Sequence, residues 1–227
     1  EPTAWAIGPE GTWCAGLRDG RLACGNPRLV PADQIAGAPV RALTVTKSEG
    51  GTLVVSAGED GAVRVAGAPM PQLSRPGRRP LALAIATNGQ RLALSWDDGQ
   101  RVLFSFEYRK EIDSLKEAAA LALAFSSSGE TLAVARADKQ VVLVEALTGK
   151  TVRQLEGADS ELHAVAFDGA DARLAAGGTD GKVLVWNVAD GRLLGTFMGP
   201  RGRVGALAFS NDGARLAAAS DDGTVRV

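Results

Sequence analysis

The stretch Gly177–Val188, GGTDGKVLVWNV, joins an Asp-Gly dipeptide to a run of apolar residues. Asp-Gly between apolar runs is the strongest short-range signal of a β-hairpin, because glycine accepts a positive φ. The aspartate of this stretch is Asp180, and it has counterparts 38 to 42 residues apart along the chain: Asp19, Asp60, Asp98, Asp138 and Asp222. Glycine follows the aspartate everywhere except at Lys139. The stretch is therefore the clearest of six copies of a repeated unit.

Two further sets of residues repeat in phase with the aspartates. Each unit opens with an alanine: Ala4, Ala42, Ala82, Ala122, Ala164 and Ala206. Three residues later comes a large or β-branched residue: Ile7, Val45, Ile85, Phe125, Phe167 and Phe209. Another apolar residue lies six positions before each aspartate: Trp13, Val54, Leu92, Leu132, Leu174 and Leu216. Each unit therefore predicts a strand, a turn, a strand, the aspartate turn and a third strand.

A weaker polar segment follows the third strand, as in LTGKTVRQL, and predicts a fourth, outer strand. Residues 107–120 have a helix-like composition, but their place in the repeat predicts an outer strand and a loop. Four antiparallel strands in about 40 residues describe a blade of a β-propeller. The small alanine suits an inner strand, where the wedge of the blade is narrow.

VLVWNVADGRLLGTF, Val183 to Phe197, resembles the closing strands of a WD40 repeat, with Trp186-Asn187 in place of Trp-Asp. ALAFSNDGARLAAASDDGTVRV, Ala206 to Val227, resembles the first three strands of another. The chain is thus similar to divergent bacterial members of the WD40 β-propeller family. Of the hydrogen-bonded network of His, Ser or Thr, Asp and Trp in that family, only the aspartate persists, so apolar packing must hold the blades.

The resemblance implies an all-β fold, a β-propeller of WD40-like four-stranded antiparallel blades forming one domain over residues 1–227. Six blade units are expected at about 1–31, 32–72, 73–112, 113–154, 155–195 and 196–227, and the last lacks its outer strand. We therefore expect the chain to be part of a larger propeller, seven-bladed or longer. The alternative is a six-bladed ring with a three-stranded last blade.

The composition indicates an ordinary soluble domain, with 45% hydrophobic and 22% charged residues and a net charge of −1. Near-neutrality argues against nucleic acid and anionic membranes as partners. The apolar runs are too short to span a bilayer. We expect a cytoplasmic protein.

The cysteines, Cys14 and Cys24, lie in one predicted hairpin. They face each other if its loop is residues 18–20, and a register one residue away separates them. We favour two reduced, partly buried thiols. The alternative is a cross-strand disulfide, which implies an oxidising compartment.

Catalytic chemistry has little support in the sequence. One histidine, one tyrosine and two nearby cysteines leave little material for a nucleophile–base pair or a transition-metal site. The aspartate turns supply too few oxygens for calcium, and turn chemistry already explains them. We expect no metal and no cofactor.

A binding face is the better candidate. In the WD40 family, the loop between the second and third strands and the loop entering each first strand share one face. Two basic loops, LSRPGRRPL and GPRGRVG, would lie there with the six aspartates. The candidate partner-binding residues are Arg41, Arg75, Arg78, Arg79, Trp96, His163, Arg201 and Arg203. Exposed Arg and Trp are enriched at binding hot spots, although loop arginines can equally be solvated and Trp96 can be core.

The sequence thus predicts a non-catalytic scaffold or sensor module that binds a protein partner, or other domains of the same polypeptide, through one loop face. We expect it to belong to a larger bacterial signalling or defence protein. One alternative is a propeller with a small ligand or catalysis at the channel mouth. Another is nucleic-acid binding through the arginine loops. The oligomeric state stays open.

Overall fold

The computed structural model describes residues 1–8, 11–25, 38–48, 51–66, 73–116, 118–199 and 201–227. The chain divides into two compact units, Glu1–Glu117 and Ala118–Val227. Each unit holds three antiparallel sheets, which we number as blades 1 to 6 in chain order. The prediction of an all-β chain of six blades is confirmed.

The N-terminal unit contains blades 1 to 3. Blade 1 consists of β1 (Pro2–Ile7), β2 (Trp13–Leu17) and β3 (Leu22–Cys24). Blade 2 consists of β4 (Val40–Ser48), β5 (Gly51–Gly58) and β6 (Val63–Ala66). Blade 3 consists of β7 (Pro80–Ile85), β8 (Arg91–Trp96), β9 (Gln100–Ser105) and β10 (Lys110–Lys116). In every blade the strands pair in chain order.

The C-terminal unit contains blades 4 to 6. Blade 4 consists of β11 (Ala120–Phe125), β12 (Thr131–Arg136), β13 (Val141–Glu145) and β14 (Thr151–Leu155). Blade 5 consists of β15 (Leu162–Phe167), β16 (Arg173–Gly178), β17 (Lys182–Asn187) and β18 (Leu193–Met198). Blade 6 consists of β19 (Val204–Phe209), β20 (Leu216–Ser220) and β21 (Val225–Arg226).

The predicted outer strands are confirmed as β10, β14 and β18, and β10 replaces the helix suggested by local composition. Three of the approximate unit boundaries fall within outer strands: 112 in β10, 154 in β14 and 195 in β18. The outer strands expected in blades 1 and 2 lie outside the described residues. Edge strands carry a weak apolar pattern, so their ends are hard to place from sequence.

The two apolar columns of the repeat are cross-strand partners. In all six blades, the large residue after the alanine pairs directly with the apolar residue before the aspartate: Ile7 with Trp13, Val45 with Val54, Ile85 with Leu92, Phe125 with Leu132, Phe167 with Leu174 and Phe209 with Leu216. Direct cross-strand pairs are the stabilising unit of a sheet. The periodicity in the sequence therefore reports one conserved register inside each blade.

Every first strand carries a β-bulge just before its column alanine. In blade 5, Leu162 pairs with Gly178 and Ala164 with Gly177, which leaves His163 as the extra residue. The extra residues of the six blades are Thr3, Arg41, Leu81, Leu121, His163 and Gly205. A bulge bends the strand and redirects a side chain. Two candidate site residues, Arg41 and His163, occupy this position.

Within each unit, the first strands of consecutive blades pack against each other, β1 on β4 and β4 on β7, and likewise β11 on β15 and β15 on β19. Ala122 and Ala164 are buried in clusters that include Leu162 and Val204 of the next first strand, whereas Ala206 is exposed. A larger side chain there would have to displace the neighbouring first strand.

Apolar packing between blades forms the core. In the C-terminal unit, Trp186 is fully buried with Leu143, Leu155, Leu174 and Leu184. Its Nε1–H donates to the carbonyl oxygen of Glu156 at 2.7 Å, so the indole leaves no polar atom unsatisfied. Each such leucine contributes roughly 1.5–3 kcal/mol by burial.

The favoured interpretation of the cysteines as reduced thiols is wrong, because the structure joins Cys14 to Cys24 in a disulfide. The hairpin loop is residues 18–20, so the two residues are directly opposite, with their Cα atoms 4.1 Å apart. The flanking pair is hydrogen-bonded, Gly25 N–H to Trp13 O at 3.0 Å, which makes the cysteines a non-hydrogen-bonded pair. Side chains approach most closely at such pairs.

In the described part of the chain, no helix combines the length and the hydrophobicity needed to cross a bilayer.

Candidate binding site around the aspartate turns

All six repeat aspartates close their turns in the same way. Each carboxylate accepts a hydrogen bond from the backbone N–H two residues later, over 2.9 to 3.3 Å. The residue between has a positive φ in every turn, including Lys139 at 67°. Short polar side chains that bond to the backbone in this way fix a tight turn. The predicted turn role of the aspartates is confirmed.

Each aspartate turn is also bonded to the segment that enters the first strand of its own blade. The N–H before the aspartate donates to a carbonyl of that segment at 2.8 to 3.1 Å; the acceptors are Glu1, Pro39, Arg79, Ala119, Glu161 and Arg203. We call the aspartate turn and this entering segment the turn face of a blade. Their adjacency within each blade agrees with the face expected from the WD40 resemblance.

The first basic loop lies on the turn faces of blades 2 and 3. Arg75 donates its backbone N–H to Gly61 O at 2.9 Å, and its guanidinium contacts Glu111 at 3.1 Å and Gln100 at 3.3 Å. Arg78 pairs with the turn carboxylate of Asp98 at 3.4 Å. These two arginines are held by carboxylates of the same unit.

Arg79 differs from its neighbours. Its backbone N–H donates to Asp97 Oδ1 at 3.2 Å, and its carbonyl accepts from Asp97 N–H at 3.0 Å. The side chain is exposed, and its guanidinium has no hydrogen bond or ion pair to any residue that the structure describes. The backbone of Arg79 is thus fixed while its charge stays available.

The second basic loop repeats this arrangement in blade 6. Arg201 donates its backbone N–H to Asp222 Oδ2 at 2.8 Å, and its exposed guanidinium likewise lacks a partner among the described residues. The hydroxyl and the backbone N–H of Thr224 lower the pKa of Asp222 to about 2. Asp222 therefore remains a carboxylate and holds the loop throughout the physiological pH range.

The bulge residue His163 lies among charged groups of blades 5 and 6. It is 3.6 Å from Glu161, while Arg203 pairs with Asp221 at 2.9 Å. Burial and the nearby Arg203 lower the pKa of His163, although Glu161 and Asp221 act in the opposite direction. The imidazole is therefore neutral at pH 7, and it is mostly covered rather than freely exposed. Arg41, at the same position in blade 2, pairs with Glu59.

The structure corrects the sequence prediction that Trp96 lies on the binding face. It was expected at the rim of the binding face, but its side chain is fully buried in the core of blades 2 and 3, with Leu73, Val102 and Phe104. The Arg75 guanidinium lies over its ring at 5.5 Å from the centroid, so the arginine covers the indole. The sequence around a single aromatic residue at a strand end does not show whether its side chain lies in the core or at the rim of the binding face.

The carboxylates that partner these cations were missed by sequence reasoning. Asp97 and Asp221 are the first aspartates of the two DDG motifs, and Glu59 precedes Asp60 in EDG. Each accepts from or pairs with an arginine of the entering segment. The pair of adjacent acidic residues was the sequence signal for these partners, because the turn itself needs only the second acidic residue.

A further polar cluster joins the entering segment of blade 5 to its turn. Lys182 contacts both Asp159 and Asp180 at 3.1 Å, and the Ser160 hydroxyl donates to Asp180 at 3.0 Å. Burial alone would raise the pKa of Asp180, but its hydrogen bonds to Lys182 and Ser160 outweigh that effect and lower it. Among the described residues, no group of three or more His, Cys, Asp or Glu side chains has the geometry to hold a metal ion.

The chain has sequence similarity to WD40 families. The model of the WD domain, G-beta repeat, matches residues 149–187 and 191–227. The model of the anaphase-promoting complex subunit 4 WD40 domain matches residues 83–162. Together the two models cover more than half of the chain. No curated protein matches it significantly in sequence.

A solved structure shares the fold. The computationally designed Ika8 protein superposes with a TM-score of 0.79 and 23% sequence identity, over 99% of this chain and 69% of that one. Identity at this level establishes the fold alone. With the matched repeats, the six blades and the common turn chemistry taken together, the chain belongs to the WD40-repeat family of β-propellers.

Proposed function

We propose that this propeller is a non-catalytic scaffold that binds a protein partner through its turn faces. WD40 propellers generally bind protein partners and are typically non-catalytic. The proposal rests on the environments of Arg79 and Arg201. In each, a turn-face aspartate fixes the backbone and leaves the guanidinium exposed and unpartnered among the described residues.

The fixed backbones of Arg79 and Arg201 lower the entropic cost of association, because only side-chain freedom is lost there when the partner binds. The surrounding exposed ion pairs contribute little to stability by themselves. They do set a charge pattern that selects partners and directs association. A turn face with fixed charges of both signs thus favours a folded protein surface over a uniformly charged polymer.

The charge pattern also bears on the nucleic-acid alternative. Arg41, Arg75, Arg78 and Arg203 all pair with carboxylates of their own unit. A phosphate backbone would have to displace these carboxylates. We therefore rank nucleic-acid binding below protein binding. A salt titration distinguishes the two, because binding to DNA or RNA would weaken steeply as the salt concentration rises.

The test is affinity capture of partners from a lysate of the source organism, with wild-type protein and the double variant Arg79→Glu, Arg201→Glu. We expect a protein retained by the wild type to be lost from the variant. Lys150→Glu is the control, because Lys150 lies in the turn between β13 and β14, at the opposite end of the strands from the aspartate turn. Equal capture by the double variant and the wild type would refute the turn-face proposal.

We further propose that this propeller is a scaffold or sensor module of a larger bacterial signalling or defence protein. The composition, rich in Ala, Gly and Arg, supports a bacterial source. The coding sequence around this segment tests the extension directly: an adjoining signalling or defence enzyme supports it, and an unrelated context removes it.

A further inference from the structure

The structure describes three outer hairpins, which join the third strand of a blade to its fourth. Their six-residue sequences are SFEYRK at 105–110 in blade 3, EALTGK at 145–150 in blade 4 and NVADGR at 187–192 in blade 5. The fifth position is glycine in two of them, Gly149 at φ 77° and Gly191 at φ 76°, but it is Arg109 at φ 51° in blade 3. A residue with a Cβ atom is strained in this conformation, and glycine is not.

The position before the arginine also departs from the pattern. In blades 4 and 5 the Thr148 hydroxyl and the Asp190 carboxylate accept the backbone N–H two residues later, at 3.3 and 2.9 Å. Such short side chains close a turn by bonding to its backbone. Blade 3 has Tyr108 there, and its hydroxyl lies at the far end of a rigid ring, so it cannot make this short bond. Two adjacent residues of one hairpin are thus poorly suited to the turn that they form.

Both of these side chains are open to solvent. Tyr108, the one tyrosine of the sequence, is 58% exposed. Arg109 is exposed, and its guanidinium has no hydrogen bond or ion pair to any residue that the structure describes. The Lys110 ammonium lies 5.7 Å from the centroid of the Tyr108 ring and pairs with no carboxylate in the described part of the chain. Tyrosine and arginine are residue types that dominate binding hot spots.

The backbone beneath these side chains is fixed. Phe106 N–H donates to Gln90 O at 2.8 Å, as Ala146 and Val188 donate to the first turns of their own blades. The Phe106 ring packs edge to face on Phe104, with centroids 5.5 Å apart, beside the core of blades 2 and 3. A strained residue that the surrounding structure holds in place is typical of a functional position.

The charges of the hairpin indicate what it binds. Arg109 and Lys110 supply two cations without a carboxylate partner, while Glu107 is the one unpaired acid, since Glu111 already pairs with Arg75. The excess of positive charge favours carboxylates, and the exposed tyrosine ring favours an apolar side chain between them. A nucleic acid would need a run of cations along its backbone, and this hairpin offers only two.

We propose that the blade 3 outer hairpin, Glu107-Tyr108-Arg109-Lys110, binds an acidic segment of a second partner protein. An aliphatic side chain of that segment packs on the Tyr108 ring, and flanking Asp or Glu residues pair with Arg109 and Lys110. The six residues of β9 separate this hairpin from the aspartate turn of its own blade by about 20 Å. The scaffold therefore holds two proteins at opposite ends of its strands. None of these residues belongs to the turn-face proposal, so the two proposals fail independently.

Charge selectivity is the first test. The probe is a capped fluorescent peptide, Asp-Glu-Leu-Leu-Glu-Asp, and its neutral counterpart is Asn-Gln-Leu-Leu-Gln-Asn. We expect the full chain to bind the acidic peptide at least about tenfold more tightly than the neutral one, by fluorescence anisotropy. Lys110→Gln should weaken the binding of the acidic peptide severalfold. Arg192→Gln removes the cation at the same position of the blade 5 hairpin and should leave the affinity unchanged.

Restoration of the ordinary turn is the second test. The double variant Tyr108→Thr, Arg109→Gly gives blade 3 the Thr-Gly pair of blade 4. It should lose at least about tenfold in affinity for the acidic peptide, yet its urea midpoint should rise, because the strained residue is gone. Loss of binding then cannot come from unfolding. Arg79→Gln, Arg201→Gln should bind the peptide like the wild type, which separates the hairpin from the turn faces.

Any of five results would overturn the proposal. Three concern the peptide: absence of saturable binding to the folded wild type, equal affinity for the acidic and neutral peptides, or equal weakening by Lys110→Gln and Arg192→Gln. A fourth is a lower urea midpoint for the double variant, since Tyr108 and Arg109 would then serve stability. The fifth is tighter binding of an RNA or DNA oligonucleotide than of the acidic peptide, since the hairpin would then recognise phosphates.

Discussion

Arg173 donates its Nε–H to the buried carboxylate of Asp168 at 2.8 Å and reaches the carbonyl oxygen of Gly213, in the next blade, at 2.6 Å. The same guanidinium lies 5.4 Å from the centroid of the Phe209 ring. One side chain thus satisfies a buried acid in blade 5 and fastens blade 5 to blade 6. Side-chain hydrogen bonds to backbone carbonyls link other consecutive blades as well: Thr46 donates to Thr87 O at 2.9 Å, and Arg153 donates to Asp190 O at 2.9 Å.

Replacement of that arginine should destabilise the C-terminal unit. Arg173→Met leaves Asp168 buried with only its backbone donors, so we expect a loss of about 1.5–3 kcal/mol in the free energy of unfolding. Urea denaturation followed by tryptophan fluorescence measures it. Arg192→Met, an exposed arginine, is the control and should change stability by less than about 0.5 kcal/mol. Equal stability of the two variants would show that the link contributes nothing.

Glycine in place of Lys139 should stabilise the fourth aspartate turn. Lys139 adopts φ 67°, a conformation that the other five turns give to glycine. A side chain there costs about 1–2 kcal/mol, partly offset by the greater unfolded freedom of glycine. We expect Lys139→Gly to stabilise the protein by about 0.5–1 kcal/mol in urea denaturation. Lys139→Ala keeps the Cβ atom and should be neutral; stabilisation by Ala instead would point to the loss of charge.

Trp96 should behave as a core residue. It is fully buried, and Trp96→Ala should cost about 3–5 kcal/mol of stability. Trp13→Ala is the matched control, because Trp13 is 42% exposed and should cost clearly less. If Trp96→Ala left stability unchanged and removed partner capture, the original assignment of Trp96 to the binding face would be restored.

His163 should make stability depend on pH. Its folded-state pKa lies below the ordinary 6.5, so the unfolded chain binds the proton first as the pH falls. The stability gained from neutral His163 is therefore complete above pH 6.5 and is lost as pH falls through the lower folded-state pKa. NMR titration of this single histidine measures the pKa directly. His163→Gln should flatten the decrease in urea midpoint over that range, and a pKa above 6.5 would contradict the assignment.

The disulfide should stabilise the first blade. Cys14 and Cys24 enclose a short loop, for which cross-linking contributes about 3 kcal/mol. We expect dithiothreitol to lower the thermal midpoint of the wild type and to leave Cys14→Ala, Cys24→Ala unchanged. Thiol quantification of protein isolated from its source also tests the expectation of a cytoplasmic location, because disulfides persist mainly in oxidising compartments.

The sequence determined the repeated unit. The aspartate turns, the three inner strands of each blade and the pairing of residues such as Phe167 with Leu174 follow from turn chemistry and strand periodicity. These are local interactions, made between residues that lie close together along the chain. A pattern repeated six times therefore reports them reliably.

Only the tertiary structure decided what lies between blades. The burial of Trp96 and the reach of Arg173 to Gly213 depend on residues of the neighbouring blade, about 40 residues away, and these neighbours differ from blade to blade. Side chains that the repeat makes equivalent thus acquire different environments from the packing of successive sheets.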